Sequence, residues 1–124
     1  MVQVSDGCVF DDNSAAVLFS FFRNSEVVIQ DATFIGNTGM HLLESHFCDY
    51  NQMRNIIGSN NVLIDSAFVY THGTINASYV LYNGSYSSVN GGRIPLIPTT
   101  GAAFNCRHSN VALHDTTLMY AYAF

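Results

Sequence analysis

Hydrophobic and polar residues alternate over short stretches of this chain, and the same alternation returns along the sequence. SEVVIQDATFIGN, which begins at Ser25, has alternating β-branched residues, then an Asp, then a Phe three residues later. NNVLIDSAFVYTHG, which begins at Asn60, and SNVALHDTTLMYAY, which begins at Ser109, follow a similar plan. No segment sustains the three- and four-residue spacing of an amphipathic helix. The pattern therefore predicts short β-strands.

A Phe-x-x-Asn motif followed by small residues occurs twice near the start of the chain. CVFDDNSA begins at Cys8, and ATFIGNTG begins at Ala32. A second element, in which small residues precede an apolar run, appears as NSAAVLF at Asn13, NTGMHLL at Asn37 and TTGAAFN at Thr99. The two Asn residues are separated by about two dozen residues, the length of one solenoid repeat. This spacing favours stacked coils.

These repeats predict an all-β fold, a right-handed parallel β-helix of about four to five coils. The hand follows from the preference of parallel strands for right-handed crossovers. We expect one domain over residues 1–124 with two inserted loops, SHFCDYNQMRNIIGS after Glu44 and YNGSYSSVNGGRIPLIP after Leu81. An antiparallel sandwich is the alternative, because short strands at regular spacing also suit that fold. The repeated Phe-x-x-Asn favours the solenoid, since only stacked coils align equivalent residues.

Stacking would give each repeated position a structural role. Phe residues of successive coils are expected to form an interior stack, and Asn residues a corner ladder of side-chain amides. The predicted ladder residues are Phe10, Asn13, Phe34, Asn37, Phe68 and Leu118. The side chains predicted to face the interior are Val27, Ile29, Phe34, Val62, Ile64, Phe68, Val111, Leu113 and Leu118.

An acidic residue recurs at the turn of each repeat. We predict that Asp31, Asp65 and Asp115 are equivalent turn residues that hydrogen-bond their own backbone, in preference to a row that binds calcium. Glycoside hydrolysis needs two carboxylates facing one bond, and no such pair is recognisable. The histidines lack the spacing of a ligand pair. We therefore predict no catalytic residues, no metal ligands and no cofactor, and we do not expect an enzyme.

Composition narrows the class of partner. Charged residues make up 10% of the chain, there is no Lys, and the formal net charge is −5, which argues against nucleic-acid binding. No apolar run approaches the roughly 20 residues of a membrane-spanning helix. A surface rich in Asn, Ser, Thr and Tyr suits an extracellular or a cell- or virion-surface location. Cys8, Cys48 and Cys106 allow at most one internal disulfide. We expect three unpaired thiols, and a disulfide between two of them is the alternative.

Four residues are candidates for attached sugar. Asn76 and Asn83 begin N-glycosylation sequons in Tyr-, Ser- and Gly-rich sequence, which predicts a surface loop. Thr99 and Thr100 follow two prolines and are weaker candidates for O-linked sugar.

The repeats also carry a family resemblance. CVFDDNSA and ATFIGNTG, with Ser-Ala-Ala-Val and Thr-Gly-Met-His following, resemble the Phe-x-x-Asn and Gly-Gly-Ala-Ile repeats of the chlamydial polymorphic outer-membrane proteins and related adhesin-like proteins. The whole chain is similar to the pectate-lyase-like superfamily of right-handed parallel β-helices. The resemblance implies a coil fold and a surface or extracellular role.

Two functions follow as expectations. The first is a structural or adhesive solenoid subunit that assembles head to tail with itself into a filament, unless the chain is a fragment of a longer solenoid. The second is a carbohydrate-binding or carbohydrate-active β-helix module, similar to polysaccharide lyases and hydrolases or to phage-tail proteins.

Overall fold

The computed structural model describes residues 1–63, 67–85 and 104–120, leaving out the side chains of 83–85 and 118–120. The described residues form ten β-strands and no helix, so they include no helix that could cross a membrane. The strands are β1 (Val2–Val4), β2 (Val9–Asp11), β3 (Val17–Phe22), β4 (Glu26–Ile35), β5 (Thr38–Gly39), β6 (His41–His46), β7 (Tyr50–Leu63), β8 (Phe68–Ser85), β9 (Phe104–His114) and β10 (Thr117–Tyr120).

Every strand pairing in the described residues is parallel and joins distant parts of the sequence. Glu26 of β4 pairs with Tyr50 of β7, Tyr50 pairs with Thr74 of β8, and Thr74 pairs with Asn110 of β9. The chain therefore returns to the same position once per coil and forms a parallel β-solenoid of about three turns. The predicted fold class is confirmed, with fewer coils than predicted.

Each coil changes direction at corners where the backbone adopts a positive φ, a conformation that costs most residues about 1–2 kcal/mol. Hydrogen bonds between coils hold these turns, as where the Phe47 amide donates to the Thr71 carbonyl over 2.8 Å. The members of the Asp31 corner are Asp31, Asn55, Tyr79 and Asp115; those of the asparagine corner are Asp12, Gly36 and Asn60; those of the ring corner are Arg23, Phe47, His72 and His108.

The interior is built from columns of apolar side chains that the register places above one another. Ile29, Met53 and Ala77 form one column, and each is almost completely buried. From two different sides of the coil, Phe34 and Phe68 meet in an edge-to-face contact with ring centroids 6.2 Å apart. Removal of this apolar surface from water is the main force that holds the coils together.

The first predicted insertion is wrong. Residues 50–59 pair in register with residues 26–35, so the segment after Glu44 is part of a regular coil. The second predicted insertion begins inside β8, which continues to Ser85, and the rest lies outside the described residues. Additional sequence is present there, because Phe68 pairs with Phe104 at an offset of 36 residues, whereas Asn13 and Asn37 are separated by 24.

The segment that begins at Asn60 is not a copy of the segment that begins at Ser25. Val62 pairs with Thr38, so the Asn60 segment belongs one corner later in the coil. A shift of this kind changes which side chains face inward. Leu63 is buried and Val62 only half-buried, which reverses the predicted alternation. Ile64 lies outside the described residues.

Candidate functional site

Asn13, Asn37 and Asn61, which directly follow the residues of the asparagine corner, form a ladder of side-chain amides in which Asn37 and Asn61 are buried. Asn13 donates through its backbone N–H and its Nδ2 to Oδ1 of Asn37, at 3.1 and 3.0 Å. Asn37 donates in the same two ways to Oδ1 of Asn61, at 3.0 and 2.9 Å. The Nδ2 groups of Asn37 and Asn61 also donate to the carbonyls of Phe10 and Phe34. The structure thus brings Asn13 and Asn37 together and adds Asn61, which the sequence motif did not reveal.

The aromatic ladder is shorter than predicted. Phe10 stacks on Phe34 with ring centroids 5.2 Å apart. The next two positions in this column are Gly58 and Tyr82. A Cβ at Gly58 would overlap the Tyr82 ring, so glycine leaves the space that this ring occupies. The register continues to Leu118, whose side chain is not described.

Phe68 does not belong to that ladder, contrary to the sequence prediction. It pairs with Leu43 and Phe104 on another side of the coil. Its ring contacts those of Phe34 and Tyr82 edge to face, at 6.2 and 5.6 Å. Phe68 therefore packs across the interior between two members of the ladder.

Two of the three predicted aspartates, Asp31 and Asp115, occupy equivalent positions in the described residues. In register, the Asp31 corner runs from Asp31 through Asn55 and Tyr79 to Asp115, so the two positions between these carboxylates hold no acid. Asn55 donates through Nδ2 to Oδ1 of Asp31 over 2.8 Å. Asp65 lies outside the described residues. Asp31 and Asp115 are both turn residues with positive φ.

The sequons do not lie on a loop. Asn76 and Asn83 are both within β8, where Asn76 pairs with Gln52 and with Ala112. Asn76 is partly exposed on the outer face. The loop prediction failed because the described part of this sequence, up to Ser85, continues β8. Thr99 and Thr100 lie outside the described residues.

Both ends of the coil stack present strands that are paired on one side only. At one end, β1 and β2 pair only with β4, and β3 pairs only with β6. At the other end, the described parts of β9 and β10 pair only with β8. Such edges offer unpaired backbone N–H and C=O groups to another strand.

Within the described ranges, no residue covers the interior columns at these ends. Val111 stacks above buried Ile75 and is 46% exposed, while Leu113 stacks above buried Ala77 and is 44% exposed. Both were predicted to be interior, and both occupy interior columns, but no described residue covers them. At the opposite end, Phe10 is only partly buried against the core. Among the described residues, each end therefore presents apolar side chains that continue the interior columns.

The ring corner forms a column of aromatic and imidazole rings on the solvent side. Phe47 stacks on His72 with centroids 4.6 Å apart, and His72 stacks on His108 at 5.2 Å. Phe22 meets Phe47 edge to face, and the Arg23 guanidinium lies 5.1 Å from the Phe22 ring centroid. These side chains are exposed. The sequence did not predict this column, because its members come from distant parts of the chain.

A carboxylate lies between two imidazoles on the outer face of β6. Glu44 Oε1 is 3.4 Å from His41 Nε2, and Glu44 Oε2 is 3.4 Å from His46 Nε2. His46 Nδ1 lies 3.0 Å from the Thr71 hydroxyl oxygen. His41 is 8% exposed, so this imidazole is largely buried. The described part of the chain contains no group of three or more His, Cys, Asp or Glu residues arranged to hold a metal ion.

The three cysteines are free thiols in the structure. Burial raises the pKa of the Tyr70 phenol well above its ordinary value, and Cys106 and Cys48 raise it further. Burial also raises the pKa of the Cys106 thiol and of the Tyr82 phenol. Burial therefore favours the protonated form of all three groups.

No known protein family, curated protein or solved structure matches the chain. The β-solenoid assignment therefore depends on the strand register and the corner geometry described above.

Proposed function

We propose that this chain is a structural or adhesive solenoid subunit that stacks end to end with copies of itself, at an extracellular location or on a cell or virion surface. The observation that carries the proposal is the pair of open coil ends. In the described residues the outer edge of β9 is unpaired, and the outer edge of β1 from a second copy could pair with it as a parallel strand. The resemblance to adhesin-like β-helix repeats and to the pectate-lyase-like superfamily agrees with such a role.

Register indicates how two copies would meet. Val27 pairs with Val2, and the same column continues through Ile75 to Val111. If the column continues across the interface, Val111 of one copy stacks on Val2 of the next. Leu113 meets Val4 by the same rule. This contact is heterologous and does not close on itself, so it propagates into a filament.

Sedimentation velocity and electron microscopy test the proposal. Wild-type protein should form concentration-dependent linear assemblies. Leu113→Lys should remain monomeric, because a charge at the centre of the contact would lose its water without a partner. Leu113 is exposed in the isolated subunit, so the substitution should not disturb folding.

Leu81→Lys is the matched control, because Leu81 has the same 44% exposure but lies outside the interior columns. It should assemble like the wild type. A wild-type monomer at micromolar concentration would reject end-to-end stacking. Equal assembly of the two variants would place the contact elsewhere on the molecule.

The extracellular part of the proposal predicts glycosylation. Asn76 is partly exposed on the outer face of β8, where an attached sugar would point away from the core. Intact-mass measurement before and after glycosidase treatment of protein secreted from eukaryotic cells should show a loss of mass, and Asn76→Gln should remove part of it. An unmodified mass would contradict this expectation.

A carbohydrate-binding module is the second candidate, favoured by the exposed rings of Tyr79, Phe22 and Phe47. Exposed aromatic rings can stack on sugars. Glycan-array binding that is lost in Tyr79→Ala would support it. We propose no enzymatic activity for either candidate.

A further inference from the structure

We propose that His72 and His108 form a binding site for a divalent transition-metal ion, of the class of copper(II) or zinc(II), at the ring corner. The two imidazoles come from adjacent coils and have ring centroids 5.2 Å apart. This site is independent of end-to-end stacking.

The backbone fixes where the two side chains begin. Thr71 pairs with Arg107 and Gly73 pairs with Ser109, so the two histidines occupy equivalent positions on neighbouring strands. Both have a positive φ, 67° for His72 and 52° for His108. The strand pairing therefore holds two potential ligands one coil spacing apart, which lowers the entropy lost when both bind one ion.

The imidazoles are available as ligands. Both are exposed, and neither makes a hydrogen bond or an ion pair with a described residue. Metal–nitrogen bonds are about 2.0–2.1 Å long, so each ring must rotate about its Cβ–Cγ bond to direct a nitrogen at a shared ion. The contact that resists this rotation is the stack of His72 on Phe47, at 4.6 Å. Water would complete the coordination.

Ligand chemistry selects the ion. Neutral imidazole suits zinc, copper and nickel, and affinity in a given site is highest for copper(II). Two positively charged residues belong to the ring corner or adjoin it, since Arg107 precedes His108 and Arg23 is the first member of the corner. Both repel a cation. The site should therefore bind one ion with modest affinity.

Titration of the full chain with copper(II), followed by visible absorption of the complex and by the thermal unfolding midpoint, tests the proposal. Wild-type protein should bind one ion at this site and become more stable, since the ion binds only the folded arrangement. His72→Phe and His108→Phe keep an aromatic ring at the corner. Each should weaken binding by at least about tenfold, because one of two linked ligands is lost.

His114→Phe and His46→Phe are the controls. His114 is exposed on the same strand as His108. His46 belongs to the Glu44 cluster, which consists of His41, Glu44 and His46. Both variants should bind copper(II) like the wild type. Unchanged binding in both His72→Phe and His108→Phe would overturn the proposal. Loss of binding in His46→Phe alone would place the ion at Glu44.

Discussion

The asparagine corner and the ring corner both turn the chain between strands, but the first is held by buried hydrogen-bonded amides and the second carries exposed aromatic rings. Both turn the chain through residues with positive φ, and both stack equivalent side chains from successive coils. In the asparagine corner, Asn37 is 2% exposed and its amide is fully used in hydrogen bonds. In the ring corner, Phe47 is 48% exposed and its ring contacts those of Phe22 and His72.

The two corners differ in whether water can take the place of a contact that a substitution removes. Buried amides and carbonyls must find partners within the protein, so loss of one Asn leaves several groups unsatisfied. Exposed rings lose only modest contact energy when removed, because water then covers the surface. The asparagine corner should therefore determine the stability and register of the coils, and the ring corner should be free to serve binding.

The largest effect should come from Asn37→Ala. The substitution removes the acceptor of Asn13 and the donor to the Phe10 carbonyl, and it leaves Asn61 Oδ1 with one donor fewer. We expect a loss of about 3 kcal/mol in the free energy of unfolding, because buried polar groups lose their partners. Urea unfolding followed by circular dichroism measures it.

Asn55→Gly is the control for that experiment. Asn55 also bonds its neighbour along the stack, through Nδ2 to Asp31, but the bond is exposed. Glycine retains the positive φ, so the change should stay within about 0.5 kcal/mol. Equal losses in the two variants would contradict the distinction between buried and exposed ladders.

The second-largest effect should come from a substitution that crowds the interior next to the asparagine corner. Gly58→Ala places a Cβ against the Tyr82 ring, which is held by its edge-to-face contact with Phe68. Overpacking of this kind should reduce stability by about 1–3 kcal/mol. If the Tyr82 ring is the cause, Tyr82→Leu in the Gly58→Ala background should recover part of the loss. No recovery would indicate a backbone cause.

The fold class could be predicted because the first repeats are intact. Phe10 and Asn13 return as Phe34 and Asn37 at a constant spacing, and that spacing is a property of one coil. The next coil was missed because Gly58 stands where the motif has Phe. A search for Asn at the same spacing beyond Asn37 would have found Asn61.

The ring corner could not be predicted from the sequence. His72 and His108 become neighbours only because the last described coil is offset by 36 residues, and that length depends on sequence without repeats. The Glu44 cluster was missed for a different reason. His41 and His46 are five residues apart, and an irregular pairing near His41, where two successive amides donate to the Ala16 carbonyl, brings both to one carboxylate.

The third effect tests whether the interior behind the ring corner is dry. Burial raises the pKa of Tyr70, so the folded protein binds this proton more tightly than the unfolded chain. Its contribution to stability is complete below the unfolded pKa of about 10 and is lost as the pH rises above it, at about 1.4 kcal/mol per pH unit. Tyr70→Phe removes the ionisable group and with it this alkaline loss, so the variant should unfold less readily than the wild type in alkali.

The free energy of unfolding of wild type and Tyr70→Phe can be measured in urea from about pH 8 to 11. Plotted against pH, the two curves should run parallel below the ordinary tyrosine pKa and diverge above it. Burial also raises the pKa of Tyr82 and Cys106, so the variant should keep part of the alkaline loss. Curves that remain parallel throughout would show that water reaches the Tyr70 hydroxyl.

The smallest effect should come from Phe47→Asn at the ring corner. The substitution removes contacts with the rings of Phe22 and His72. Asn tolerates the positive φ of 55° at this position better than Phe does, which offsets part of that loss. We therefore expect the free energy of unfolding to change by less than about 1 kcal/mol. A loss as large as that of Asn37→Ala, measured by urea unfolding, would show that the exposed rings hold the coils together as strongly as the buried amides.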